Sequence, residues 1–182
     1  MYFSQDPEDG ALVARTLKGD PAAFEAIVAR YQSVMFRVAL RMLGDYEDAR
    51  DATQTAFVSA YLKLSSFDPN LRFFSWLYRI LLNECLNAKR DRRPQEPITA
   101  DMMLAGTPLE ALEASERRQR VQQALLALPH DYREVIVLRH FAELGYDEIA
   151  TTLGIAPKTV KSRLYTARQR LTELLVLEKT ET

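Results

Sequence analysis

The sequence predicts an all-α fold: an N-terminal helical bundle and a C-terminal helix-turn-helix domain, two small domains joined by a flexible linker. Three observations predict it. Apolar residues recur at three- and four-residue steps through nearly the whole chain, which is the period of one helix face. No apolar–polar alternation of useful length occurs, and 6 Gly and 8 Pro in 182 residues are sparse for a turn-rich β-sandwich. Between two helical stretches, residues 94–108 lose the period and hold Pro94, Pro97, Gly106 and Pro108, a linker composition.

The elements follow in order. A short helix is expected over about 9–18. Phe24, Ile27, Val28, Tyr31, Met35, Val38 and Met42 then form one apolar stripe of a long helix. Asp20-Pro21 opens it with an N-cap acceptor and a proline in the first turn, and Gly44 closes it. Asp45 caps the next helix, with Asp48 three residues on as an imperfect capping box. That helix carries Ala49, Ala52, Ala56, Phe57, Ala60, Tyr61 and Leu64. Residues 65–70 are a turn-forming break, and a third long helix runs over about 71–92. Beyond the linker the predicted spans are 109–127, 131–141, 146–153 and 157–178, separated by Pro129, Gly145 and Gly154. The domains are thus expected at 1–93 and 109–182, with 94–108 between them.

Composition narrows the function classes. With 47% hydrophobic and 27% charged residues, the chain has a folding, soluble composition. No apolar run approaches the roughly 20 residues of a membrane span. The acidic N-terminus is no signal peptide, and the C-terminus falls where the second domain should end, so no appended domain is expected. One cysteine, Cys85, excludes an internal disulfide, and its distance from His130 and His140 excludes a close-spaced zinc motif. A reduced, cytoplasmic protein without metal or cofactor is expected. The net charge of −1 hides an uneven distribution. Residues 45–51 are acidic, whereas Arg72, Arg79, Lys89, Arg90, Arg92 and Arg93 form one basic cluster and Lys158, Lys161, Arg163, Arg168 and Arg170 another. Any one of these is ordinarily a solvated helix face; together they suggest surfaces with different partners, a polyanion among them.

Residues 145–164 have the spacing of a helix-turn-helix. Ala150 is small where the helices approach, Gly154 sits at the turn, and Ile149, Leu153, Ile155, Val160 and Leu164 are apolar at the packing positions. On the second helix, Val160, Leu164, Ala167, Leu171 and Leu174 share a narrow face. Lys158, Lys161, Ser162, Tyr165 and Gln169 share the opposite one, a mixture of cations, hydrogen-bonding groups and a ring that suits a major groove. Arg163, Arg168 and Arg170 flank it, in reach of phosphates.

Over 71–92, Arg72, Arg79, Asn83, Asn87 and Arg90 share one side of a helical wheel, with Phe73, Trp76 and Ile80 adjoining it. Asn side chains read base edges and aromatics stack on unpaired bases, so this face suits single-stranded DNA. Trp76 taken alone is more often a core residue. In the acidic helix, Asp48, Asp51, Gln54 and Phe57 recur at three-residue steps. Acid repels DNA, so a function here implies a protein partner, with an exposed Phe57 as its anchor.

In combination these motifs resemble the extracytoplasmic-function (ECF) sigma factors of bacterial RNA polymerase. Residues 48–57 look like that family's polymerase-binding helix, 74–83 like its promoter-melting helix, and 126–136 with 148–164 like its second domain. The resemblance implies that Asp48, Asp51, Gln54 and Phe57 dock on the clamp helices of the polymerase's largest subunit, and that the second domain meets its flap. It implies that Phe67, Arg72, Trp76, Arg79, Asn83, Asn87 and Arg90 engage the single-stranded −10 element. Lys158, Thr159, Lys161, Ser162, Arg163, Tyr165 and Arg168 are implied at the double-stranded −35 element. An anti-sigma factor is the implied regulator. Pro157-Lys158 and Thr166 depart from the family pattern, and Ala156 is a weak N-cap for the recognition helix.

The logic is binding, not catalysis. Extruding a base costs a few kcal/mol, and stacking worth roughly 1–3 kcal/mol per base offsets it. An ordinary helix-turn-helix regulator would explain the C-terminal half but not the Arg79, Asn83, Asn87 stripe. A nucleic-acid enzyme would need clustered His, a phosphate-cradling glycine loop or a nucleophile–base spacing, none of which the sequence offers.

Overall fold

The computed structural model describes residues 7–91 and 108–180, with side chains over 8–88 and 116–176. Eight α-helices and one 3-10 turn make up the described residues. They are α1 (Pro7–Leu17), α2 (Pro21–Leu43), α3 (Tyr46–Lys63), the 3-10 turn Leu64–Ser66, α4 (Phe73–Asp91), α5 (Pro108–Ala127), α6 (His130–His140), α7 (Tyr146–Leu153) and α8 (Pro157–Thr180). The protein is all-α, as the periodicity requires. The predicted linker, 94–108, lies outside the described residues except for Pro108.

Local chemistry sets the helix ends. The Asp20 carboxylate accepts from the Ala22 N–H at 3.1 Å, and Pro21 follows it, so α2 starts with a donor satisfied and φ preset. At its other end Gly44 takes φ 79°, and its N–H bonds the Leu40 carbonyl at 2.8 Å. Asp45 turns the chain into α3 by accepting from the Asp48 N–H at 2.9 Å.

Burial then selects the faces. Ile27, Tyr31, Met35 and Val38 of α2 are sealed against the alanine face of α3, Ala49, Ala52, Ala56 and Ala60. Small side chains there let the two axes approach, and α4 closes the bundle with Phe73, Leu77, Leu81 and Cys85. Each large side chain so buried contributes on the order of 1.5–3 kcal/mol. The Tyr31 hydroxyl donates to Asp9 at 2.5 Å and ties α1 onto the bundle. Burial and that carboxylate push the phenol's pKa up.

The C-terminal half is built around α6, whose Val135, Ile136, Val137 and Leu138 are all buried. Leu125 of α5, Leu128 just after that helix, Ile149 of α7, and Val160, Leu164 and Ala167 of α8 complete its core. Arg133 lies inside, 2% exposed, donating to the carbonyls of Leu125 at 2.8 Å, Leu128 at 2.9 Å, Leu126, and Met42 at 2.9 Å. The last of these belongs to α2. The two halves therefore touch, and the buried side chains run from one into the other as a continuous cluster. No described helix is long and apolar enough to cross a membrane.

Candidate nucleic-acid interface

The helix-turn-helix is formed by α7 and α8. Glu148 closes the first turn of α7 by accepting the Gly145 N–H at 2.6 Å, and Gly154 makes the turn with φ 67°, a conformation cheap only for glycine. α8 begins at Pro157 despite the weak cap at Ala156, because a first-turn proline needs no N–H partner. Val160, Leu164 and Ala167 face inward, with Leu171 and Leu174 half-buried along the same stripe. Lys158, Lys161, Ser162, Tyr165, Arg168 and Gln169 are exposed, and Thr159 is half-buried at the first turn. Gln169 donates to the Tyr165 hydroxyl at 3.0 Å, which orients the ring on the outer face.

Arg163 is different. Its guanidinium donates to Asp131 at 2.5 Å and Glu134 at 3.2 Å, both on α6, and so pins the recognition helix to its support. The sequence reading placed it among the groove contacts; the structure turns it inward, since position 163 lies between the buried and outward faces of α8. His130 stands beside the same acids, and His130, Asp131 and Glu134 offer atoms within 4.8 Å of one another, with the Arg163 cation between the two carboxylates. Burial first, and then Asp131, push the Glu134 carboxyl up to about 7, against the pull of Arg163.

On α4 the predicted stripe is a real face. Arg79, Asn83 and Asn87 are exposed, Arg72 is half-buried just before the helix, and the side chain of Arg90 lies outside the described residues. Phe74, Tyr78, Leu81 and Cys85 are buried behind them. Trp76 is half-buried, its ring 5.4 Å from Phe67 and 5.7 Å from Phe73. Phe73 and Ile80, which the wheel set at the margin, belong to the core. The loop 67–72 is held by the Asp68 carboxylate, which accepts from the backbone and side chain of Asn70 at 2.9 Å.

α3 requires a correction. Phe57 is 7% exposed and belongs to the core, not to an outward anchor. Three-residue steps fall short of a full turn, so Phe57 lies roughly 180° around the helix from Asp48. The outward stripe is Asp51, Gln54, Thr55, Val58 and Leu62, with Val58 at 58% and Leu62 at 74% exposure. Both apolar residues were legible at three- and four-residue steps from Asp51 and were missed because the acids were followed in place of the exposed arc.

Comparison with known proteins decides what carries these faces. Residues 27–95 match the family Sigma-70 region 2, and residues 118–171 match Sigma-70, region 4. The chain is 35% identical over 178 residues to the ECF RNA polymerase sigma factor SigW of Bacillus subtilis, covering 90% of this chain and 94% of that one. It belongs to the ECF sigma factors. Among solved structures, this sigma factor is similar to CnrH in complex with the cytosolic domain of CnrY, with 31% identity, a TM-score of 0.76, and 93% and 98% of the two chains covered. It is also similar to the sigma factor RpoE in complex with the anti-sigma factor NepR from Bartonella quintana, with 25% identity, a TM-score of 0.69, and 84% and 96% covered. The protein is thus a transcription-initiation factor. Region 2 spans α4 and its stripe, and region 4 spans the helix-turn-helix.

Proposed function

We propose that this sigma factor docks on core RNA polymerase through α3 and its flap-facing second domain, reads the −35 element as duplex through α8, and holds the −10 element as a single strand on α4. On this reading the domains divide at 1–93 and 109–182, with 94–108 as the linker. The observation that carries the reading is a sorting of side chains on two separate helices. Asn83 and Asn87 on α4, and Lys161, Ser162 and Tyr165 on α8, are all exposed while the apolar residues of the same helices are buried. Lys161 and Ser162 present donors to a major groove, and Tyr165, 65% exposed, presents an apolar face to a thymine methyl or a sugar. Asn83 and Asn87 present amides suited to base edges, and the half-buried Trp76 lies nearer the start of the same helix.

Strand opening on this reading is thermodynamic trapping. Thermal fraying exposes bases, and the α4 face binds them; no bond is made or broken, and the protein is not an enzyme. It works in the cytoplasm, where the polymerase is. The similarity to a sigma factor bound to the anti-sigma factor NepR supports control by an anti-sigma factor, which would compete for these surfaces. Run-off transcription with core polymerase on a promoter library tests the proposal. Transcripts sharing two upstream elements at fixed spacing are expected; no stimulation of core polymerase by the added protein overturns it.

A further inference from the structure

We propose that Leu86 is an apolar wedge, entering the duplex at the upstream edge of the −10 element to fill the place of the first base that leaves the stack. The proposal rests on the assignment of α4 as the single-strand face. Among the described residues, α4 exposes four side chains: Arg79, Asn83, Leu86 and Asn87. Three of them carry hydrogen-bond donors. Leu86, 38% exposed, is the exception.

The helix step sets it among the others. Leu86 follows Arg79 by seven residues, close to two whole turns, and the four fall within an arc of about 100°. Its neighbours Leu82 and Cys85 are buried, so the core beneath already has its apolar side chains. Glu84, half-buried, accepts from the Ser59 hydroxyl of α3 at 3.2 Å, and Leu86 lies about 200° around the helix from it. It therefore stands on the side of α4 away from that bond and does not extend the apolar patch of Val58 and Leu62. A single exposed leucine is ordinary on a protein surface. One set between two amides suited to base edges is placed to meet bases.

Composition along the helix locates the junction. Phe67 and Trp76, both half-buried, lie at the start, where unpaired bases stack on rings. From Arg79 to Arg93 no aromatic residue occurs, and Lys89, Arg90, Arg92 and Arg93 supply charge for the phosphates of a duplex. Leu86 stands between the two regimes.

Leucine suits the task. Proteins that unstack a base step insert an apolar side chain into it, which replaces part of the lost stacking surface. A polar side chain in that place would have to shed its water without a partner. Filling the vacated place opposes re-pairing of the extruded base. The wedge thus acts on opening, and the asparagines act on the strand once it is open.

The test compares run-off transcription by holoenzyme from a selected promoter, as intact duplex and with a mismatched −10 bubble. Leu86→Ala should keep core-polymerase binding, give about tenfold fewer transcripts from the duplex, and match wild type on the bubble. Leu86→Met should recover transcription from the duplex, since an unbranched apolar chain still enters the step. Asn83→Ala/Asn87→Ala should be defective on both templates. Wild-type transcription of the duplex by Leu86→Ala overturns the wedge, and so does an equal defect on both templates or a loss of core binding. Full activity of the asparagine variant on both templates overturns the reading of α4, and the wedge with it.

Discussion

Arg133 is a cation enclosed by carbonyls, with no acid among the bonds it makes. Its acceptors sit at the ends of α2 and α5, where the helix dipole is negative and the last carbonyls have no partner within the helix. Burial pulls its pKa down, yet the four bonds keep the guanidinium in place. Arg133→Met should leave those carbonyls unsatisfied and cost roughly 2–4 kcal/mol, read as a lower urea midpoint. Arg133→Lys should recover only part, lacking the planar fork. Glu134 gives a pH prediction. Its folded pKa is raised from 4.5 to about 7, so its contribution to stability is full below 4.5 and is lost as pH rises through about 7. His140, lowered mainly by burial, works in the opposite sense as pH rises toward 6.5. The difference between wild type and Glu134→Gln isolates the first effect. Relative to the variant, wild type should lose stability between pH 4.5 and 7, measured by urea unfolding at several pH values.

At the scale of the element, α3 separates a core residue, Phe57, from an exposed one, Val58, one position apart. Phe57→Ala should cost about 3–5 kcal/mol of stability. Val58→Lys should leave stability within about 0.5 kcal/mol and weaken binding to core polymerase roughly tenfold or more, since an apolar anchor is replaced by a charge. On α8, Lys161→Ala or Tyr165→Ala should lower affinity for the −35 duplex by about 1–3 kcal/mol at unchanged stability. Arg163→Ala should act through stability, by detaching α8 from Asp131 and Glu134. Much of this was legible in the sequence. The eight described helices fall where periodicity puts them, and Asp20-Pro21, Gly44, Asp45 and Gly154 fix the ends of α2, α3 and α7 by local chemistry. The stripes of α4 and α8 were legible because a helix face is set by the 100° step alone. Arg163 was not, since its partners on α6 lie some thirty residues away and no period links them. Phe57 was misread for a different reason: a three-residue repeat is not a face.

The whole molecule adds what neither helix has alone. Each reading face is small, and a tether raises the effective concentration of the second only if something holds the two at the spacing of the DNA. In the structure the two halves are in contact through Arg133, Arg41 and Arg72, with no polymerase between them to set the spacing of the two faces. Free protein is therefore expected to retain promoter DNA poorly in a gel shift, and holoenzyme tightly. The most direct measurement is footprinting of holoenzyme on a selected promoter, with permanganate reporting unpaired thymines. Asn83→Ala/Asn87→Ala should keep the −35 protection and lose the −10 reactivity, while Lys161→Ala/Tyr165→Ala should lose the protection first. Full −10 reactivity with both asparagines removed would contradict the account.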